Sequence, residues 1–385
     1  MSRKRILWLV SWYPTKQDPF NGDFIQRHAR AAALYNDIYV IHIAGVDKKA
    51  VNSEKDETSI PYTGLTEKII YFQKNLSLTG RILAQFRWIS HFKKEIKKYI
   101  STFGKPDLIH VHIPVKTGLV ALWIKRVYNV PYIVTEHWGI YNDIVKDNYT
   151  TQPGWLKTLT RRVLKNASDF LSVSNYLGKK VNQLVLAKPF KVIPNVVDTN
   201  FFSYKENNIK TPFRFIHVSN MVPLKNAEGI LRAVHALQKI TADIEIIMVG
   251  DTEQTIRNYA KQLELLKKVA FFRGEVSYNE VAKQLKESHA LVLFSNIENS
   301  PCVIGEALCC GLPVIGTNVG GIPELINHEN GILVEPGNDI QLLKAMQKMI
   351  SDYSIYNRKK ISEDAHQKFS FNVIGKRFDE IYSGY

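Results

Sequence analysis

Short apolar runs alternate along the chain with longer stretches in which apolar residues recur every three or four positions. In the first half the runs are residues 5–12, 38–44, 69–72, 107–113, 131–136, 169–174 and 191–194. Their length and near-continuous apolar character predict strands buried on both faces. The amphipathic stretches between them predict helices near 22–35, 81–100, 116–128, 153–166 and 175–186. The second half repeats the series. Strands are predicted at 213–219, 244–250, 269–272, 290–294 and 313–315, with helices at 227–240, 253–266, 278–287, 339–350 and 371–382. Strands alternating with helices predict a parallel sheet covered on both faces, so the fold class is α/β. The doubled series predicts two such domains, 1–200 and 201–370. A last helix in 371–385 is expected to pack back toward the first. Pro194-Asn195 and the polar run 204–211 read as the linker. Ligands of such sheets bind beyond the carboxyl ends of the strands, so two domains facing one another would leave the active site in a cleft.

The 385-residue length suffices for two cores, and 45% hydrophobic with 23% charged residues is ordinary for a folded soluble protein. No apolar run is long enough to span a bilayer. Met1 to Arg5 followed by Ile6 to Val10 mimics a signal peptide. The apolar part is too short and meets Trp12-Tyr13-Pro14, so a first strand is the reading. Cys302, Cys309 and Cys310 form no disulfide framework and no metal spacing, which fits a reducing cytoplasm. The net charge of +15 is lopsided. Residues 1–200 hold 30 Lys+Arg against 15 Asp+Glu, whereas residues 201–385 hold 21 of each. A basic first domain could meet nucleic acid or an anionic membrane, for instance the inner face of a plasma membrane. No helix-turn-helix, zinc finger or aromatic RNA-binding signature is present, so nucleic acid is set aside. The helix at 81–100 carries an apolar stripe of Ile82, Phe86, Ile89, Phe92, Ile96 and Tyr99, with Lys93, Lys94, Lys97 and Lys98 at one end. It reads either as a sheet-covering helix with a solvated basic face or as a lipid-docking element, and the charge imbalance favours the second.

Residues 295–325, SNIENSPCVIGEALCCGLPVIGTNVGGIPEL, concentrate the chemistry. Glu298 and Glu306 stand eight positions apart, and Ser300 with Pro301 reads as a hydroxyl cap and a proline at the first helical position. Glu298 would then sit in the loop and Glu306 inside the helix. Free amides at the helix start, around Asn299, Ser300, Pro301 and Cys302, favour an anion, and each carboxylate can accept from vicinal hydroxyls. Gly320-Gly321 offers a second anion-friendly turn. Singly, each feature is an ordinary solvated glutamate, cap or turn. Together, Glu298, Glu306, Ala307, Gly311 and Pro313-Val314 resemble the donor site of the retaining family-4 glycosyltransferases, sugar-nucleotide enzymes of GT-B fold, with two Rossmann-like domains.

That resemblance implies a nucleotide-diphosphate sugar as co-substrate, no other cofactor and no metal; the chain contains no Asp-x-Asp. It places Glu306 on the donor ribose and Glu298 on the donor sugar. Lys225, in the stretch 218–226, matches the lysine of an Arg/Lys pair on the donor diphosphate. Asn220 occupies the arginine slot and brings no charge. His137, at the carboxyl end of strand 131–136, matches a histidine that reaches the donor sugar, its alternative being a buried core histidine. Gly22, at a helix start, matches a glycine bordering the catalytic cleft, a plain turn being the alternative. His110 and His112 share one strand face and read as structural. The absence of Gly-x-Gly-x-x-Gly after the first strand excludes a dinucleotide domain. The implied reaction is retaining transfer of a sugar to a saccharide or lipid-linked saccharide, as in surface polysaccharide assembly. A non-hydrolysing sugar-nucleotide epimerase and a catalytically silent sugar-nucleotide binder remain as alternatives.

Overall fold

The computed structural model describes residues 3–46, 56–73, 78–206, 211–251 and 254–385. It divides into two compact units, Met1–Val196 with Phe371–Tyr385 (unit 1) and Val197–Ser370 (unit 2). The run 204–211 lies inside unit 2, its residues 207–210 outside the described ones. Tyr204 belongs to that unit's packing, with the Arg358 guanidinium 5.8 Å from its ring centre.

Unit 1 begins with β1 (Arg5–Val10), α1 (Asp23–Ala33), β2 (Asp37–Val46), β3 (Asp56–Tyr62), β4 (Leu65–Gln73) and α2 (Leu78–Phe103). It continues with β5 (Leu108–His112), α3 (Pro114–Tyr128), β6 (Tyr132–Glu136), α4 (Gly154–Asn166), β7 (Phe170–Ser172), α5 (Asn175–Leu184) and β8 (Lys191–Val192). The strand order is β3-β4-β2-β1-β5-β6-β7-β8. All neighbours are parallel except β3, which pairs antiparallel with β4 across Thr63-Gly64. Hydrophobic patterning missed β3 because it is a polar edge strand containing Pro61, and a proline is tolerated there.

Period-two alternation assigns the two faces of this sheet. Leu7 and Leu9 of β1 join a core with Phe92 and Ile96 of α2, Val120 and Ile124 of α3, Val163 of α4 and Val181 of α5. Ile6, Trp8 and Val10 join the opposite core, with Ile25 and Ala29 of α1 and with Ile374, Phe378 and Tyr382. Fully burying one such large side chain contributes about 1.5–3 kcal/mol. Phe86 breaks the expected stripe. It is 68% exposed, on the outer side of α2, and the Ile82 side chain lies outside the described ones.

Unit 2 comprises β9 (Phe213–Val218), α6 (Ala227–Leu237), β10 (Ile244–Val249), α7 (Gln254–Gln262), β11 (Ala270–Phe272), α8 (Tyr278–Lys286) and β12 (Ala290–Leu293). Then follow α9 (Cys302–Cys309), β13 (Val314–Thr317), β14 (Gly331–Val334), α10 (Asp339–Ser351) and α11 (Arg358–Phe369). The expected start of α7 at Glu253 lies outside the described residues. The sheet is wholly parallel, in the order β11-β10-β9-β12-β13-β14. Neither β14 nor α11 was predicted. Four residues of β14 flanked by polar turns give too little periodicity, and α11 is held by contacts remote in sequence. Ser362 Oγ donates to Cys309 O at 2.6 Å, and Arg358 Nε to Gly311 O at 3.1 Å.

The chain then returns to unit 1 as α12 (Phe371–Tyr382). It packs on α1 through Gly375, where a Cβ would meet Ala31 O at 2.4 Å. Both sheets reverse strand order at one point, β1/β5 in unit 1 and β9/β12 in unit 2, where ligands of such sheets bind. Among the described residues, no helix is long and apolar enough to cross a membrane.

Candidate functional site

In unit 2 the candidate residues gather at the carboxyl ends of β9 and β12. Near the end of β9, His217 Nδ1–H donates to Val292 O at 2.9 Å. Its Nε2 must then accept the Ser219 hydroxyl, 2.7 Å away, which leaves Ser219 Oγ to accept the Met221 N–H at 3.0 Å. Burial pushes the His217 pKa down to about 4, so the ring is neutral in this relay. The relay bends the backbone into the left-handed region at Met221 (φ 52°). A single 3₁₀ turn, Pro223–Lys225, follows, and Asn226 caps α6 through the Gly229 N–H at 3.2 Å. Lys225 is thereby aimed across the strand ends, and its Nζ stands 2.5 Å from Glu298 Oε1.

The loop that carries Glu298 is held at three points. The Ser295 hydroxyl donates to Oε1 at 2.8 Å, Asn296 N–H donates to Leu224 O at 2.8 Å, and Gly321 N–H donates to the Glu298 carbonyl at 2.9 Å. Gly320 has φ 56°, and a Cβ there would lie 1.8 Å from the Glu298 carbonyl oxygen, so only glycine fits. In the turn read from Gly320-Gly321 as anion-friendly, the Gly321 amide is committed to Glu298. Ile322–Glu324 is a lone 3₁₀ turn.

The helix start is corrected. Pro301 (φ −69°, ψ 120°) is the capping position, no side chain caps it, and Cys302 is the first residue of α9. Ser300 is one residue too early, because the extended proline ends the loop. Asn299, Ser300, Pro301 and Cys302 are half-buried along the loop entering α9. Glu306, the fifth residue of α9, is 5% exposed and is the only charged residue of an otherwise apolar helix. A carboxylate kept there demands polar partners. Asn220 is exposed beside Met221, lining a cavity of about 400 Å³ with Pro223, Glu228, Asp251 and Thr255. Asp251, 4% exposed, accepts the Gly274 N–H at 2.9 Å and pairs with Arg257. A second cavity of about 350 Å³, near Glu324, His328 and Lys360, contains none of the candidate residues.

In unit 1, Gly22 (φ 70°) is the residue before α1, and a Cβ there would lie 2.5 Å from the Trp12 carbonyl carbon. That close approach alone requires glycine. It seats α1 against the carboxyl end of β1, and the Phe24 and His28 rings come within 5.1 and 5.6 Å of the His137 ring. His137, 8% exposed at the end of β6, shares a hydrogen bond with His112, Nε2 to Nδ1 at 3.0 Å. His110 bonds Tyr382 Oη at 2.7 Å and Thr135 Oγ1 at 2.6 Å. Burial lowers the pKa of all three imidazoles, and the neighbouring histidines add to the shift. Glu136 precedes His137, and burial raises its pKa to about 7. Its Oε1 accepts the N–H groups of His137 and Trp138 at 2.8 and 2.9 Å, and its Oε2 accepts the Tyr141 hydroxyl at 2.9 Å. Glu136 thus fixes the backbone that presents His137. Sequence reasoning passed over it, although an acid ending an apolar strand was a signal. Ser295, Ser219 and Asp251 left no comparable mark.

Residues 198–368 match the family model described as glycosyl transferases group 1, and residues 53–201 match glycosyltransferase family 4. One curated relative, the N-acetyl-alpha-D-glucosaminyl L-malate synthase of Bacillus anthracis, is 26% identical over 72% of this chain and 74% of its own. Another, the putative teichuronic acid biosynthesis glycosyltransferase TuaC of Bacillus subtilis, is 26% identical over 89% of this chain and 88% of its own. Among solved structures, Anabaena Alr3699/HepE in complex with UDP superposes with TM-score 0.74 at 19% identity, covering 99% of this chain and 100% of that one.

Proposed function

Because the chain belongs to the family-4 glycosyltransferases of GT-B fold, we propose that it moves a sugar, with retention of configuration, from a nucleoside-diphosphate donor to a saccharide or lipid-linked saccharide acceptor in surface polysaccharide assembly. The observation that carries the reading is the convergence of Lys225 and Glu298 beside α9 at the strand-order reversal of unit 2. In this reading Lys225 sits on the donor diphosphate and stabilises the charge that grows on the departing phosphate. Glu298 accepts from the donor sugar hydroxyls, and the backbone of Asn299, Ser300 and Cys302 supports the same group. Glu306 accepts from the ribose hydroxyls. Asn220 borders the donor without adding charge, so Lys225 is the principal cation. His137 and Gly22 are assigned to the donor as well. The departing phosphate takes the acceptor's proton on the face it leaves, and no metal takes part. The UDP complex of the Anabaena protein and the teichuronic acid role given to the Bacillus subtilis relative support a nucleotide-sugar donor and a polysaccharide product.

The experiment is thermal unfolding against UDP, GDP, ADP, CMP and NAD, for the wild type and Glu306→Ala. A ligand at a hundred times its dissociation constant stabilises by about 2.7 kcal/mol. One nucleoside diphosphate should raise the melting temperature of the wild type and not of the variant, with or without EDTA. No shift with any nucleotide, or a shift with NAD alone, overturns the reading. Turnover with a supplied acceptor then separates a transferase from an epimerase or a silent binder.

A further inference from the structure

Helices α2, α3 and α4 form one layer on the face of the unit 1 sheet opposite α1 and α12. Gly118 of α3 lies against Val163 of α4, Lys125 Nζ donates to Asn166 O at 2.7 Å, and Lys93 Nζ stands 5.2 Å over the Trp123 ring. From Ala84, where the side chains of α2 become described, to Asn166, these three helices carry twelve Lys and Arg. They carry one carboxylate, Glu95, which is 5% exposed and accepts the Tyr39 hydroxyl at 3.3 Å. No acidic side chain is exposed on the described part of the layer.

An ordinary solvated helix face intersperses both signs, because like charges three and four residues apart repel. Lys94, Lys97 and Lys98 break that rule on consecutive turns of α2. They share a side of the helix with Phe86, within an arc of about 120° at about 100° per residue, opposite Phe92, Ile96 and Tyr99. The same side of the layer shows large apolar groups singly. Phe86 and Trp155 are each 68% exposed, Val127 55% and Leu119 41%. Trp155 shares its side of α4 with Arg162 and Lys165.

We propose that this three-helix face docks on an anionic phospholipid bilayer. The cations sit over lipid phosphates, while Phe86 and Trp155 enter the headgroup layer. Isolated apolar side chains spread over three helices suit a yielding interface, whereas a polyanion dissolved in water gives them nothing to be buried against. The inference stands apart from the transferase reading, since it rests on none of the donor-site residues.

The test is flotation of the full chain with vesicles of phosphatidylcholine alone or with phosphatidylglycerol. The wild type should float with the anionic vesicles at about 0.1 M salt, release at about 0.5 M, and ignore the neutral ones. Lys94→Glu with Lys97→Glu and Arg162→Glu should weaken vesicle binding at least about tenfold. The control Lys261→Glu with Lys344→Glu and Lys348→Glu, on unit 2, should bind as the wild type does. Trp155→Ala should weaken binding without changing its salt dependence. Melting curves confirm that each variant is folded. Failure of the wild type to float with anionic vesicles, unchanged binding by the first triple variant, or binding of soluble polyphosphate with vesicles ignored would overturn the proposal.

Discussion

Lys225 Nζ and Glu298 Oε1 lie 2.5 Å apart, although 73 residues separate them in sequence. The pair joins the loops after β9 and β12, which are hydrogen-bonded neighbours in the sheet. With side chains 24% and 11% exposed, it is neither a surface ion pair nor a dry one. In the proposed mechanism both groups turn to the donor when it binds. Lys225→Met should lower kcat/KM for the donor about 100-fold or more, the usual cost of losing one preorganised charge at a leaving group. The stability cost should be only about 1–3 kcal/mol, because the Ser295 hydroxyl still meets the carboxylate. Steady-state kinetics with the identified donor, alongside a melting curve, checks both. A kinetic loss smaller than about threefold would separate Lys225 from the chemistry.

Gly320 and Gly337 both have positive φ, 56° and 70°, but only one is crowded. A Cβ at Gly320 would lie 1.8 Å from the Glu298 carbonyl oxygen, whereas nothing lies within 4 Å of one at Gly337. Gly337→Ala should therefore cost about 1 kcal/mol of backbone strain and leave donor binding intact. Gly320→Ala must also displace the loop that carries Glu298, so it should cost about 3 kcal/mol or more and weaken donor binding. Equal melting temperatures and equal donor affinities for the two variants would contradict the arrangement.

The contrast between these glycines marks how far the sequence could be read. The strands of both sheet interiors, β1, β5, β6, β9, β12 and β13, announced themselves by continuous apolar runs between turn signals. The polar edge strand β3 and the short β14 did not, and α11 gains its place from contacts with α9 that no local pattern encodes. At the site, Glu298, Glu306 and Lys225 were visible as residue types at a recognisable spacing. Their supports were not, because Ser219, Ser295 and Gly321 act through one or two hydrogen bonds each, set by chain reversals. Ser300 illustrates the limit. A hydroxyl before a proline is a good local cap, yet tertiary packing placed the proline itself at the capping position.

His110 and Tyr382 tie α12 to the sheet of unit 1, the hydroxyl standing 2.7 Å from Nδ1 and both side chains fully buried. Tyr382→Phe leaves that ring nitrogen without its partner in a site water does not reach. The expected loss is about 1–3 kcal/mol. It should appear as a lower melting temperature of unit 1, with unit 2 unchanged. Calorimetry on the full chain resolves this if the two units melt separately, and limited proteolysis reports it in either case. A variant as stable as the wild type would show that the hydroxyl is dispensable.

Acid should weaken unit 1 before unit 2. Burial lowers the pKa of His28, His42, His110, His112 and His137 in unit 1, to about 4 for the first two, and of His217 in unit 2. A histidine with a depressed folded pKa contributes stability that is present above its unfolded pKa, near 6.5, and lost as pH falls toward the folded value. The unfolded chain takes up protons in that window and the folded one does not. Each such group can steepen the loss by up to about 1.4 kcal/mol per pH unit. Glu136 works the other way. Its folded pKa, raised to about 7 from an ordinary 4.5, means the folded chain holds a proton that the unfolded chain gives up. Its contribution is therefore present at low pH and lost as pH rises through 7. Five groups outweigh one, so the melting temperature of unit 1 should fall as pH drops from about 6.5 to about 4, faster than that of unit 2. Glu136→Gln removes the opposing term and should steepen the fall. Melting curves over this range, for wild type and variant, decide it. A unit 1 transition insensitive to pH would mean that the buried imidazoles are solvated in the folded protein, and a shallower slope in Glu136→Gln would mean that the Glu136 carboxyl is not held protonated there.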